Sequence, residues 1–187
     1  GCVRVQVMTN EASACVAEAL HISECSSLPC HIRTCFLDLH SQGFAKIQRV
    51  IDESLCAQLY DDVHKMKIQL QDLQTQKPID DLVLRHDILL QLSPAVHEAV
   101  KRLADHPGFR CCIETLLGRD ALLFELAAMQ SLAGAKAQKL HRDTLFANDC
   151  QVLTTFIALT DVSDEAWGPT ALVPGTHNAD CWHYHDE

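Results

Sequence analysis

No apolar run in the sequence approaches the roughly 20 residues that a bilayer-spanning helix needs, so none is expected to cross a membrane. Positive charge is also short. Lys and Arg number 15 against 25 Asp and Glu, a formal net charge of −10. Such a chain is repelled by nucleic acid and by anionic lipid, so neither is an expected partner. No secretory signal is legible, and the chain opens on Gly1 rather than Met, as a processed chain or a fragment does.

What is present is ordinary for a single globular domain: 187 residues, 48% hydrophobic and 21% charged. The exception is cysteine, with ten. An even count can mean a disulfide framework. Yet Cys56, Cys111, Cys112 and Cys150 fall inside apolar periodic stretches, where free cysteine acts as a small hydrophobe. The reading taken is a reducing, intracellular compartment, the cytoplasm.

Residues 1–40 read as an irregular, cysteine-rich lead-in, with a short apolar stretch and a helix somewhere in Cys2 to Leu20. Cys25, Cys30, His31 and Cys35 offer zinc ligands, but adjacent Cys30 and His31 are poorly spaced for one ion. From residue 41 onward the text reads as one domain. "GFAKIQRVI" is expected to be a strand opened by Gly43. After it, Leu55, Leu59, Val63, Met66, Leu70 and Leu73 recur at helical steps behind Asp52 as cap. "KPIDDLVLRHDILLQL" reads as extended or loop-like. Ser93 and Pro94 announce a second helix with Val96, Val100 and Leu103 on one face. A third is expected from Phe109 to Leu117, stopping at Gly118. After Asp120 the period shortens, and "ALLFELAAMQSL", "AQKLHRDTLF", "QVLTTFIALTDV" and "TALVPGTH" read as strands. Helices followed by antiparallel strands give an α+β class.

On the second of those strands His141 and Asp143 stand two residues apart, the side-chain repeat of a strand, and so would share a face. Such a pair is either a surface hydrogen bond or two-thirds of the two-histidine, one-carboxylate triad that holds ferrous iron with positions left open.

Three blocks in order extend the pattern: "QKLHRD" with Gln138, His141 and Asp143, "ALTD" with Ala158, Leu159 and Asp161, and "GPTALVPGTH" from Gly168 to His177. From about Gly43 to His177 they resemble the phytanoyl-CoA dioxygenase family of Fe(II)- and 2-oxoglutarate-dependent oxygenases. The resemblance implies a double-stranded β-helix, a cupin-like jelly roll with N-terminal helices. It implies Fe(2+) and 2-oxoglutarate as cofactors, oxidative decarboxylation of the oxoacid to succinate and CO2, and hydroxylation of a small organic or lipid-like substrate. On it His141 and Asp143 are metal ligands, Gln138 belongs to the cofactor site, and Thr154 or Thr155 would face the oxoacid.

The chain departs from the family at its end. The second iron histidine of the family lies a few dozen residues beyond the third block, followed by an arginine for the oxoacid carboxylate. Here ten residues follow His177, and no Lys or Arg follows Arg142. The sheet is therefore expected to lack its last strands. His177, His183 and His185 are the candidates for third ligand, of which His183 is taken. The alternative is a non-catalytic jelly-roll binding protein that kept the pocket and lost the chemistry.

Overall fold

A computed structural model describes residues 2–8, 29–73, 84–141 and 151–177. In chain order these form β1 (Cys2–Met8), α1 (Cys30–Gln42), α2 (Glu53–Leu73), β2 (Arg85–Leu89), α3 (Pro94–Asp105), α4 (Pro107–Leu116), β3 (Leu122–Ser131) and β4 (Val152–Ala158). The strands make one antiparallel sheet in the order β2-β3-β1-β4.

The largest departure from the sequence reading is β1. Residues 2–8 are not an irregular lead-in but a central strand, paired with β3 on one side and β4 on the other. Alternation explains it. Val3, Val5 and Val7 are buried at 2%, 2% and 8% exposure, while Arg4 and Gln6 point to the opposite face. Residues directly opposite in an antiparallel pair share a face. Leu126 and Ala128 of β3 and Ile157 of β4 therefore join the valines, and Ile88 joins them from β2.

Helices α2 and α3 cover that face. Leu55, Leu59 and Val63 of α2 and Val96, Ala99 and Leu103 of α3 complete the core, as their spacing of three and four predicts. Met66 packs against it, while the side chains of Leu70 and Leu73 lie outside the described residues. Leu59, with no exposed surface, contributes about 1.5–3 kcal/mol by burial alone. Helix α1 packs against α4, where Phe36 and buried Cys112 meet.

Caps set the helix starts. Asp52 accepts the Leu55 N–H at 2.9 Å, and Ser93 accepts that of Val96 at 3.2 Å. His106 caps α4, its Nδ1 accepting from Gly108 and Phe109 at 3.2 and 3.4 Å. Arg102 bonds to both Asp52 and Glu98, so it ties the end of α3 to the cap of α2.

Three expected strands are not strands where described. "GFAKIQRVI" runs without ladder bonds, and Arg49 sits at φ 60, a left-handed conformation that interrupts an extended run. Its Ile47, Val50 and Ile51 pack on the core from a loop. Residues 137–141 of "AQKLHRDTLF" are also irregular, and 142–146 lie outside the described residues. "TALVPGTH" is a loop ending in a turn at 174–177. Conversely "RHDIL", read only as extended or loop-like, is strand β2.

Candidate functional site

The sheet face turned away from the helices mixes polar and apolar residues. Arg4, at the middle of β1, reaches Asp87 Oδ2 of β2 at 2.7 Å and also bonds to Glu125 of β3. The two carboxylates, after the opposing effect of burial, hold its guanidinium pKa above the ordinary value. Next along β1, Gln6 is the one buried polar residue of the described core, and its Nε2 donates to Thr154 Oγ1 at 3.1 Å. A charged and amide-bearing face on a central strand is the kind of surface that orients a polar ligand.

Register separates the two threonines. Thr154 pairs with Gln6 and shares the polar face, whereas Thr155 pairs with Val5 and faces the helices. Of the pair, Thr154 has the hydroxyl on the polar side.

Gln138 and His141 lie on an exposed irregular segment that follows β3. His141 Nδ1 is 2.8 Å from the Lys139 carbonyl oxygen. A carbonyl only accepts, so Nδ1 donates there, and in the neutral ring Nε2 would carry the lone pair. This is the tautomer that a metal takes through Nε2, oriented by a backbone carbonyl on the other nitrogen. On donor chemistry His141 therefore fits a ferrous ion. Asp143, His183 and His185 lie outside the described residues. Among the described residues no three His, Cys, Asp or Glu side chains come together as a metal set.

The second block takes part in a groove of about 480 Å³ between α2 and the end of β4. Ala158, Leu159 and Asp161 line it opposite Glu53, Cys56, Tyr60 and Asp61. Burial, then Asp52 and Glu53, push the Cys56 thiol pKa up. A raised thiol pKa disfavours the thiolate, the nucleophilic form. None of Gln138, His141, Thr154 or Thr155 lines this groove.

Sequence reasoning missed the polar face of β1, although the alternation of Val3, Arg4, Val5, Gln6 and Val7 carried it. Cys2, Cys35, Cys56, Cys111 and Cys112, all the cysteines whose side chains are described, are free thiols. Of the zinc candidates, Cys25 lies outside the described residues. The side chains of Cys30 and His31 also lie outside the described ones.

Neither the comparison with curated proteins nor that with solved structures gives a match. The family comparison does. The model of the phytanoyl-CoA dioxygenase (PhyH) family covers residues 39–185, more than three quarters of the chain and all three sequence blocks. That family has a cupin-type jelly-roll fold and Fe(II)/2-oxoglutarate-dependent oxygenase activity, and four helices with a four-stranded antiparallel sheet are compatible with it. The chain belongs to the phytanoyl-CoA dioxygenase (PhyH) family.

Proposed function

We propose that this chain is an Fe(II)/2-oxoglutarate-dependent dioxygenase that hydroxylates a small organic or lipid-like substrate, with release of succinate and CO2. The observation that carries the reading is the family match over 39–185, with "QKLHRD", "ALTD" and "GPTALVPGTH" in order inside it. His141 and Asp143 are the metal ligands in this reading, and His183 the third. Gln138 and Thr154 border the oxoacid, with Thr155 as the lesser candidate because it pairs with Val5 toward the helices. The iron, when bound, supplies oxygen activation coupled to decarboxylation of the oxoacid.

The chain's own residues have narrower tasks. The Lys139 carbonyl keeps the proton of His141 on Nδ1, so that Nε2 is presented to the metal. Gln6 fixes the Thr154 hydroxyl by donating to its oxygen, which leaves that hydroxyl to donate onward to an anionic ligand on the polar face. The oxygenase domain in this reading takes in β1 as well as residues 41–187, since β1 pairs with both β3 and β4.

The direct test is succinate formation from 2-oxoglutarate by the purified chain with ferrous iron, read by mass spectrometry. Succinate should appear with wild type and fall at least tenfold with His141→Ala or Asp143→Ala. Equal succinate from wild type and both variants would remove these residues from the reaction.

A second reading has its own observation: no Lys or Arg follows Arg142 to meet the distal oxoacid carboxylate. A binding protein that retained the pocket without turnover fits that feature. It requires that ligand binding and melting temperature be indifferent to iron in wild type and in His141→Ala alike.

A further inference from the structure

Of the three histidines considered for the third metal position, His177 alone lies within the described residues, and its surroundings suit a different task. Helix α1 ends at Gly43, which has φ 84 and donates its N–H to the Leu39 carbonyl at 3.0 Å. The last turn of a helix leaves further carbonyls without intrahelical partners. Two of these are met by the turn at 174–177. Gly175 N–H donates to the Gln42 carbonyl at 2.8 Å, and His177 Nε2 lies 3.1 Å from the His40 carbonyl oxygen. The carbonyl accepts, so Nε2 is the protonated, donating nitrogen. The negative end of the helix dipole favours a donor there.

The ring also approaches Gly43 closely. A Cβ built on Gly43 would fall 2.5 Å from His177 Nδ1 and 2.6 Å from its Cβ and Cγ. Glycine is thus required twice at position 43, for the left-handed backbone and for the approach of the imidazole. The turn itself is pinned by Thr176 Oγ1 donating to the Val173 carbonyl at 2.8 Å.

The geometry points to His177 as a positioning residue, a latch that fastens the turn of the third sequence block onto the end of α1 and is not a metal ligand. Nε2 is engaged by the His40 carbonyl, and Nδ1 lies close against Gly43. If the proposed oxygenase reading holds, on which this consequence alone rests, the third ligand is not His177.

The test is a melting cycle on the metal-free 187-residue chain, combined with iron stoichiometry. His177→Ala should lower Tm by about 2–4 °C, the loss of one hydrogen bond in a chain of this size. His177→Gln, whose amide can also donate to the His40 carbonyl, should restore most of that shift. Gly43→Ala should lower Tm too, and Gly43→Ala with His177→Ala should melt no lower than Gly43→Ala alone, because either change releases the turn. Iron per chain should equal that of wild type in His177→Gln and His177→Ala. The latch is overturned if His177→Ala melts as wild type, if Gln rescues nothing, or if the shifts of the two single variants add. It is also overturned if iron is lost from a His177→Ala chain whose melting is unchanged. Should wild type itself take up no iron, the oxygenase reading fails separately, and the melting cycle still decides the latch.

Discussion

Single side chains explain how the helical layer holds together. Ser93 caps α3 through the Val96 N–H and donates its own hydroxyl to Asp62 Oδ2 at 2.5 Å, joining α3 to α2. Ser93→Ala should cost about 1–2 kcal/mol, measured by urea unfolding with an unchanged slope. Leu59→Ala, at a site with no exposed surface, should cost about 2–5 kcal/mol in the same measurement. Loss of under 1 kcal/mol there would mean that α2 does not pack as described. Arg102 gives a pH signature. Asp52 has a lowered pKa, first from the Leu55 N–H and then from Arg102, and Glu98 a lowered one from Arg102. A carboxylate with a depressed folded pKa stabilises the fold above its unfolded value and ceases to as pH falls through the folded one. The ordinary values are 3.8 and 4.5, so the stabilisation is present at neutral pH and disappears below that range. Arg102→Leu should therefore flatten the loss of stability on acidification, read as unfolding midpoints at stepped pH. An identical pH profile in the variant would contradict the clasp.

At the scale of elements, legibility followed periodicity. Helices α2, α3 and α4 were readable because caps and apolar steps agreed: Asp52 before Leu55, Ser93 and Pro94 before Val96, Gly118 after Leu117. The sheet was readable only in part. β3 and β4 fell inside expected runs, but β1 was missed at the start of the chain although its alternation carried it. "GFAKIQRVI" has the composition of a strand, yet the left-handed Arg49 turns it into a loop whose apolar residues pack without ladder bonds. The site divides likewise. The sequence motif pointed to His141, and the carbonyl that sets its tautomer needed coordinates. Which of Thr154 and Thr155 lies on the polar face depended on the register with β1, a strand not foreseen. The placement of β1 has a sharp consequence. Deleting residues 1–8 strips both β3 and β4 of a partner and removes three buried valines. The truncated chain should lose its cooperative unfolding transition. A truncated chain that still melts cooperatively near the wild-type temperature would show that β1 is dispensable, against the sheet order described.

For the whole molecule, the account joins a two-layer α+β core to a family whose chemistry is oxygen activation at ferrous iron. The helical layer supplies the packed side of the sheet, and Arg4, Gln6 and Thr154 lie on the other side. Everything functional in this account depends on whether His141 takes part in binding iron together with the oxoacid. That can be measured before any primary substrate is known. Under strict anaerobiosis, the 187-residue chain is titrated with Fe(II) in the presence of 2-oxoglutarate and the visible absorbance followed. The account predicts a weak metal-to-ligand charge-transfer band that saturates at one iron per chain, is absent without 2-oxoglutarate, and is abolished in His141→Ala. No band in the wild-type chain, or an equal band in His141→Ala, would contradict it.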